Sequence, residues 1–245
     1  MQKNDLRVFI HVVIWAPYKK GGDMYGVKVR VKGKYACFTR PEFKTERVSF
    51  DVMTPSSARG ILEAIHWKPA IVWRIDRIHV LNPIRFDTIR RNEVGSKIPM
   101  RTVQGAMKSG GELGLFVEND RQQRGTQLLR DVDYVIEAHF DLTTRAGQED
   151  NQGKHLDIFN RRLAKGQCHH MPCLGCREFA AEVMPLEGGI PVSSLVGETD
   201  LGWMLYDLVY PEPGNNGEIT PQFFRARMLN GIMQIPAHDS EEVVG

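Results

Sequence analysis

Two tripeptides in this 245-residue chain carry side chains suited to cutting a phosphodiester. His66-Trp67-Lys68 sets a titratable ring, an aromatic face and a cation side by side. Gly153-Lys154-His155 adds a second ring and a second cation to a glycine that lets a ligand approach the backbone closely. Histidine titrates near pH 6.5, so either ring can take or give a proton at working pH. Two such rings and a lysine fit metal-free RNA cleavage. That reaction needs a base for the 2′-hydroxyl, an acid for the departing 5′-oxygen and a cation for charge growing on the phosphoryl oxygens. Read alone, His66 is a partly buried surface histidine and Gly153-Lys154-His155 a solvated helix start. Only the fold can make them one site.

The elements around them are readable. Thr54 suits an N-cap, Pro55 a first helical position, and Pro69 a stop, which gives a helix over 54–67. Ala58, Ile61, Leu62 and Ile65 form its apolar face, so His66 lies beside the buried stripe at the C-terminal end. A helix C-terminus favours imidazolium, which predicts a His66 pKa near working pH. Strands are predicted at 71–81 and 134–142, with a strand or strand pair at 27–38. A helix over 155–165 follows from Leu156, Phe159 and Leu163, with Gly166 as its stop, and its first amides suit a phosphate. A strand at 176–184 completes two β–α–β units. This order predicts an α+β fold, with a ferredoxin-like, RNA-recognition-type domain over 24–189 and two helices on one sheet face. Residues 190–245 hold strand-like runs at 203–210 and 223–235 and read as a small antiparallel β domain. Residues 1–23 end in YKKGGD and fit no later element, so they read as an upstream extension with Met24 as the functional start.

Composition narrows the function classes. A hydrophobic content of 42% supports a sizeable core, and no apolar run approaches a membrane span. Four unevenly placed cysteines do not form a disulfide framework and point to a reducing cytoplasm. The net charge is only +2, so a nucleic-acid surface must come from local clustering. Residues 85–130 supply it: nine Lys or Arg face five acidic residues in a glycine-loaded stretch that reads as a flexible arm. Cys168, Cys173 and Cys176, with His169 and His170, resemble a zinc site, but Cys176 opens a predicted strand and no second CxxC exists. GAMKSGGELG, at 105–114, has neither dinucleotide nor Walker spacing.

The segments ACFTRPEFKTERVSFDVMTPSSARGILEAIHWKPAI, RIHVLNPIRFDTIRRNEVGSKI, GKHLDIFNRRLAKG and LGCREF resemble the CRISPR-associated repeat-associated mysterious proteins. Within them, they are most similar to the type I-C (Dvulg subtype) subunit of the fifth CRISPR-associated family. The resemblance covers nearly all of residues 24–245. It implies metal-free cleavage of the CRISPR precursor transcript in the repeat hairpin, with the 5′ tag retained inside the type I-C surveillance complex. The family's GKH motif falls on Gly153, Lys154 and His155. Its WKP motif is preceded by tyrosine in well-studied members, where this chain has His66. Catalysis is therefore expected from His66, Lys154 and His155, by 2′-hydroxyl attack giving a 2′,3′-cyclic phosphate, with no metal or other cofactor. RNA phosphates are expected at Lys68, Arg90, Arg91 and Arg101, and Trp67 is expected to stack or, in preference, to pack in the core. Expected partners are CRISPR repeat RNA and other surveillance-complex subunits, with duplex DNA a further possibility and no membrane. The alternatives are a non-catalytic subunit capping the 5′ handle of the guide, or a general duplex-binding protein.

Overall fold

The computed structural model describes residues 26–43, 45–211 and 217–245; the extension over 1–23 and the start at Met24 lie outside them. The elements run β1 (Gly26–Ala36), β2 (Arg47–Val48), α1 (Pro55–Ile65), β3 (Ile71–Val80), β4 (Phe86–Val94), α2 (Met100–Ser109), β5 (Arg121–Leu142) and α3 (Gln152–Ala164). They finish with β6 (Glu182–Pro185), β7 (Glu198–Val209), β8 (Thr220–Leu229) and β9 (Ile232–Gln234). Together these make a mixed α/β structure rich in strands, with few helices. Nine strands join one sheet, in the order β6-β1-β5-β3-β9-β8-β7, with β2 and β4 attached to β5.

β5 organises the sheet. Its C-terminal half pairs antiparallel with β1 on one edge and β3 on the other, while its N-terminal half pairs with β4 and, in parallel, with β2. β1 alternates as a half-buried strand should: Val27, Val29 and Val31 enter the core, and Lys28, Arg30 and Lys32 occupy the opposite face. There Arg30 pairs with Asp133 at 2.7 Å, and Glu137 meets His79 at 2.6 Å and Lys28 at 3.5 Å. The apolar face is covered by α1, through Ala58, Ile61, Leu62 and Ile65, and by α3, through Leu156, Phe159 and Leu163. Thr54 caps α1 as expected, its side chain accepting from the Ser57 amide.

Several elements differ from the sequence expectation. Residues 85–130 are an ordered extension: β4 pairs with the first nine residues of β5, and α2 closes the tip. The two strands satisfy each other's backbone, which the glycine count concealed. The strand expected over 176–184 shrinks to β6 on the sheet edge. Ahead of it the Phe179 amide donates to Cys176 and the Leu174 amide to Phe179, so 173–180 is a tight loop. Gly175, at φ +83°, lets that loop reach β1, because a Cβ there would lie 2.0 Å from the Cys37 carbonyl oxygen. The run at 223–235 is a hairpin, β8 and β9, turned at Asn230-Gly231 with φ +50° and +76°. β9 pairs with β3 at Arg77–His79, so the C-terminal strands join the same sheet. Arg59 on α1 reinforces this by binding Asp207 on β7 at 2.7 Å.

Gly175→Ala adds a clash to a left-handed backbone and should lower stability by about 2 kcal/mol or more. Gly166→Ala, at φ +62° in open space, should cost only about 1 kcal/mol. Urea midpoints at unchanged m distinguish the two.

Candidate active site

The site forms where α1 ends and α3 begins. α1 stops two residues earlier than expected, with His66 as its C-cap in an extended conformation, its amide still donating to the Leu62 carbonyl at 3.0 Å. Two contacts fix this corner. The Trp73 indole donates to the His66 carbonyl at 2.9 Å, and Arg162 on α3 donates to the Ile65 carbonyl at 2.8 Å. Both carbonyls are helix-end acceptors with no helical partner, so each contact removes a cost and orients the ring. Trp73 itself is held by Phe140, edge-on at 5.1 Å, and by Phe159, tilted at 4.8 Å.

α3 begins three residues before the expected start. Asn151 is its N-cap and accepts from the Lys154 amide at 2.9 Å, so Gly153, Lys154 and His155 all lie in the first turns. The Lys154 amide is therefore not among those open to a phosphate. His155 points inward and is fully buried against the Phe140 ring.

The two histidines meet. His66 Nε2 lies 3.0 Å from His155 Nδ1, and the rings stack at 5.2 Å with 28° between their planes. On the far side, His155 Nε2 lies 3.2 Å from an Asp150 carboxylate oxygen. The same oxygen receives Lys154 Nζ at 3.4 Å, and Lys154 also donates to the Glu149 carbonyl. His66 Nδ1 is the contrasting atom: it is buried and, among the described residues, has no hydrogen-bond partner. Thus His66, Lys154 and His155 come together as expected, joined by Asp150, which sequence reading missed. Its only signal was an acidic residue five positions before His155 in a loop read as merely polar.

The expected titration of His66 reverses. Its pKa falls to about 4, chiefly because burial disfavours the charged ring, helped by His155, Arg162 and Lys68. Burial outweighs the helix-end effect that was expected to raise it, since His66 is 1% exposed. Asp150 shifts down, first through the Gly147 amide bonded to its carboxylate, then through Lys154 and His155. At neutral pH the site therefore holds a neutral His66 and an ionised Asp150.

The expected RNA contacts separate into two groups. Lys68, Arg90 and Arg101 are exposed and, among the described residues, without an ion-pair partner. Arg91 is engaged: it donates to Thr126 at 2.9 Å and pairs with Glu178, which also binds Arg47 at 2.8 Å. Trp67 is 56% exposed, so the expectation of core packing fails; Trp73 takes that place. The cysteines do not gather as the zinc reading required. Cys168 is exposed, Cys176 shares the Thr39 hydroxyl with Cys37, and no group of three metal-ligating side chains occurs among the described residues. Nor is any described helix long and apolar enough to cross a membrane.

Acid should destabilise this chain through His66. The unfolded chain binds the proton near pH 6.5 and the folded chain near pH 4, so stability is complete above the first value and lost on the way down to the second. Between pH 7 and pH 5 the loss should be about 2 kcal/mol. Urea unfolding at the two pH values, compared with His66→Gln, checks it: the variant should lose less.

Comparisons with known proteins follow the same line. The Cas5d model of the family described as CRISPR-associated protein (Cas_Cas5) matches residues 26–236. The CRISPR pre-crRNA endoribonuclease Cas5d of Mannheimia succiniciproducens is 52% identical over 224 residues, covering 89% of this chain and 97% of that protein. The protein of the same name from Thermus thermophilus is 42% identical over 234 residues, covering 90% and 95% respectively. A crystal structure described as a CRISPR-associated protein superposes with a TM-score of 0.63 at 26% identity, covering 91% of this chain and all of that one. With the family model spanning most of the chain and relatives this similar along nearly their whole length, the chain belongs to the CRISPR-associated Cas5 family.

Proposed function

We propose that this chain is a pre-crRNA endoribonuclease that cuts the CRISPR repeat hairpin by 2′-hydroxyl attack, using His66, His155 and Lys154. The observation that carries this reading is the direct contact of the two rings, 3.0 Å apart, with the lysine on the same carboxylate. Relatives of this similarity carry the name of that activity. His66 stays neutral at pH 7 and suits the base, with Nδ1 as the free lone pair. The O2′–P bond forms as the P–O5′ bond breaks, and the proton taken from the 2′-hydroxyl is returned by the histidine pair to the 5′-oxygen. Lys154 offsets the charge growing on the phosphoryl oxygens. Both rings are closed to solvent in the free chain, so the scissile nucleotide must part the wall over them. Trp67 and Lys68 stand exposed one and two residues from the buried ring, at the natural entrance. The indole offers a stacking face and the lysine a phosphate contact.

The strand order β6-β1-β5-β3, with α1 and α3 on one face, supports a ferredoxin-like core for 24–189. Residues 190–245 would then be a small β unit that prolongs its sheet. The β4–α2–β5 extension presents Arg90 and Arg101 and suits the repeat stem. Retention of the cleaved 5′ tag and assembly with other type I-C surveillance-complex subunits complete the reading.

The test is a type I-C repeat RNA incubated with the protein in EDTA, beside the same RNA carrying a 2′-deoxy sugar at the cut site. Cutting of the ribose substrate alone supports the proposal, and binding without cutting supports the capping role instead. His155→Ala should lower single-turnover cleavage by roughly 100-fold or more while leaving Kd within about threefold, because affinity comes from phosphate contacts elsewhere. Arg90→Ala and Arg101→Ala should instead weaken binding and each reduce the slope of log K against log salt by about one. Filter binding across a salt series reads both.

A further inference from the structure

The loop before α3 supplies a group that no reading of the sequence assigned. Asp150 is held from behind: its second carboxylate oxygen accepts the Gly147 amide at 3.0 Å, and its own amide donates to the Gly147 carbonyl at 3.0 Å. This reciprocal turn aims the first oxygen at His155 Nε2 and Lys154 Nζ. The partners then set the protons. An ionised carboxylate only accepts, so His155 Nε2 carries hydrogen and donates. A neutral His155 with hydrogen on Nε2 offers a lone pair at Nδ1, which can only accept from His66 Nε2. His66 is thereby left with hydrogen on Nε2 and a lone pair on Nδ1, the buried atom without a partner. The carboxylate fixes the tautomers of both rings in sequence.

We propose that Asp150 is a positioning residue that orients the His155–His66 pair as a proton relay ending in the basic Nδ1 of His66. The inference rests on the assignment of these histidines to catalysis. In the relay, His66 Nδ1 accepts the 2′-hydroxyl proton while His66 Nε2 passes its own to His155 Nδ1. The positive charge so formed lies on His155, within 3.2 Å of Asp150, instead of on the ring nearest the RNA. Asp150 itself gains no proton. Reversal returns the proton to the 5′-oxygen, so nothing is consumed. Among the described residues, the other charges facing the pair are Lys154 on α3's first turn, Arg162 further along α3, and Lys68 beyond α1; these three oppose a protonated ring, whereas Asp150 favours one.

The test uses the full chain with Asp150→Asn, which keeps the shape, and Asp150→Glu, which keeps the charge. Asp150→Asn should cut single-turnover cleavage by about tenfold or more, and its acid limb should move to lower pH by about one unit as the opposing charge is lost. Kd for the repeat RNA should stay within about threefold, and Asp150→Glu should recover part of the rate. Nitrogen-15 NMR of the unmodified protein at neutral pH should find His155 with hydrogen on Nε2; hydrogen on Nδ1 overturns the proposal whether or not the variants fold. A wild-type rate and pH profile in Asp150→Asn also overturns it, as does parallel loss of rate and affinity, which marks a merely structural loop. His155→Ala run alongside separates the two readings. If that variant still cleaves, the histidine assignment itself fails and the relay falls with it. If it is inactive while Asp150→Asn is normal, only the relay fails.

Discussion

A strand has two edges, and β5, 22 residues long, uses both. Each half satisfies a different set of backbone groups: β1 and β3 near the helices, β4 and β2 away from them. That sharing forces the rest. α1 follows β1 and α3 follows β5, two neighbouring strands, and both helices pack on the same face of the sheet, which brings the end of α1 to the start of α3. Without a strand long enough to serve both regions, the extension would carry an unpaired edge and need its own support.

The corner where the helices meet depends on polar atoms that nearly all have a partner. Two spare helix-end carbonyls take the Trp73 indole and the Arg162 guanidinium, and the loop carboxylate takes a ring and an amine. Such a network is stable only when complete, since a buried group left alone costs on the order of 1–3 kcal/mol. Among the described residues, the buried atom of this corner left without a partner is His66 Nδ1. In a site otherwise so fully paired, that unpaired atom is where the proposed reading seats the substrate hydroxyl.

Much of this was legible in the chain. Thr54, Pro55 and the apolar stripe gave α1, and alternation gave β1, β3 and the end of β5, because local chemistry decides caps and half-buried faces. His66, Lys154 and His155 could be chosen by type, and their meeting was inferred from the repeated β–α–β order. What escaped reading was set by distant partners. The direction of the His66 pKa depended on burial by residues elsewhere in the sequence. The exposure of Trp67 depended on Trp73 having filled the core first. Arg91 looked like its neighbour Arg90, yet strand alternation turned it toward Thr126 and Glu178. Glycines in 85–130 suggested a flexible arm, whereas β4 and the start of β5, both within it, pair across a separation no local window spans.

α2 contributes no buried residue to the molecule. Its side chains therefore answer to whatever meets them from outside, and scarcely to the core. Selection can revise that helix to follow a changing repeat or a changing neighbour while the melting temperature stays where it was. Around His66 the reverse holds, since nearly every atom there is shared with the fold. The protein thus separates a part that can drift from a part that cannot, along the length of a single strand.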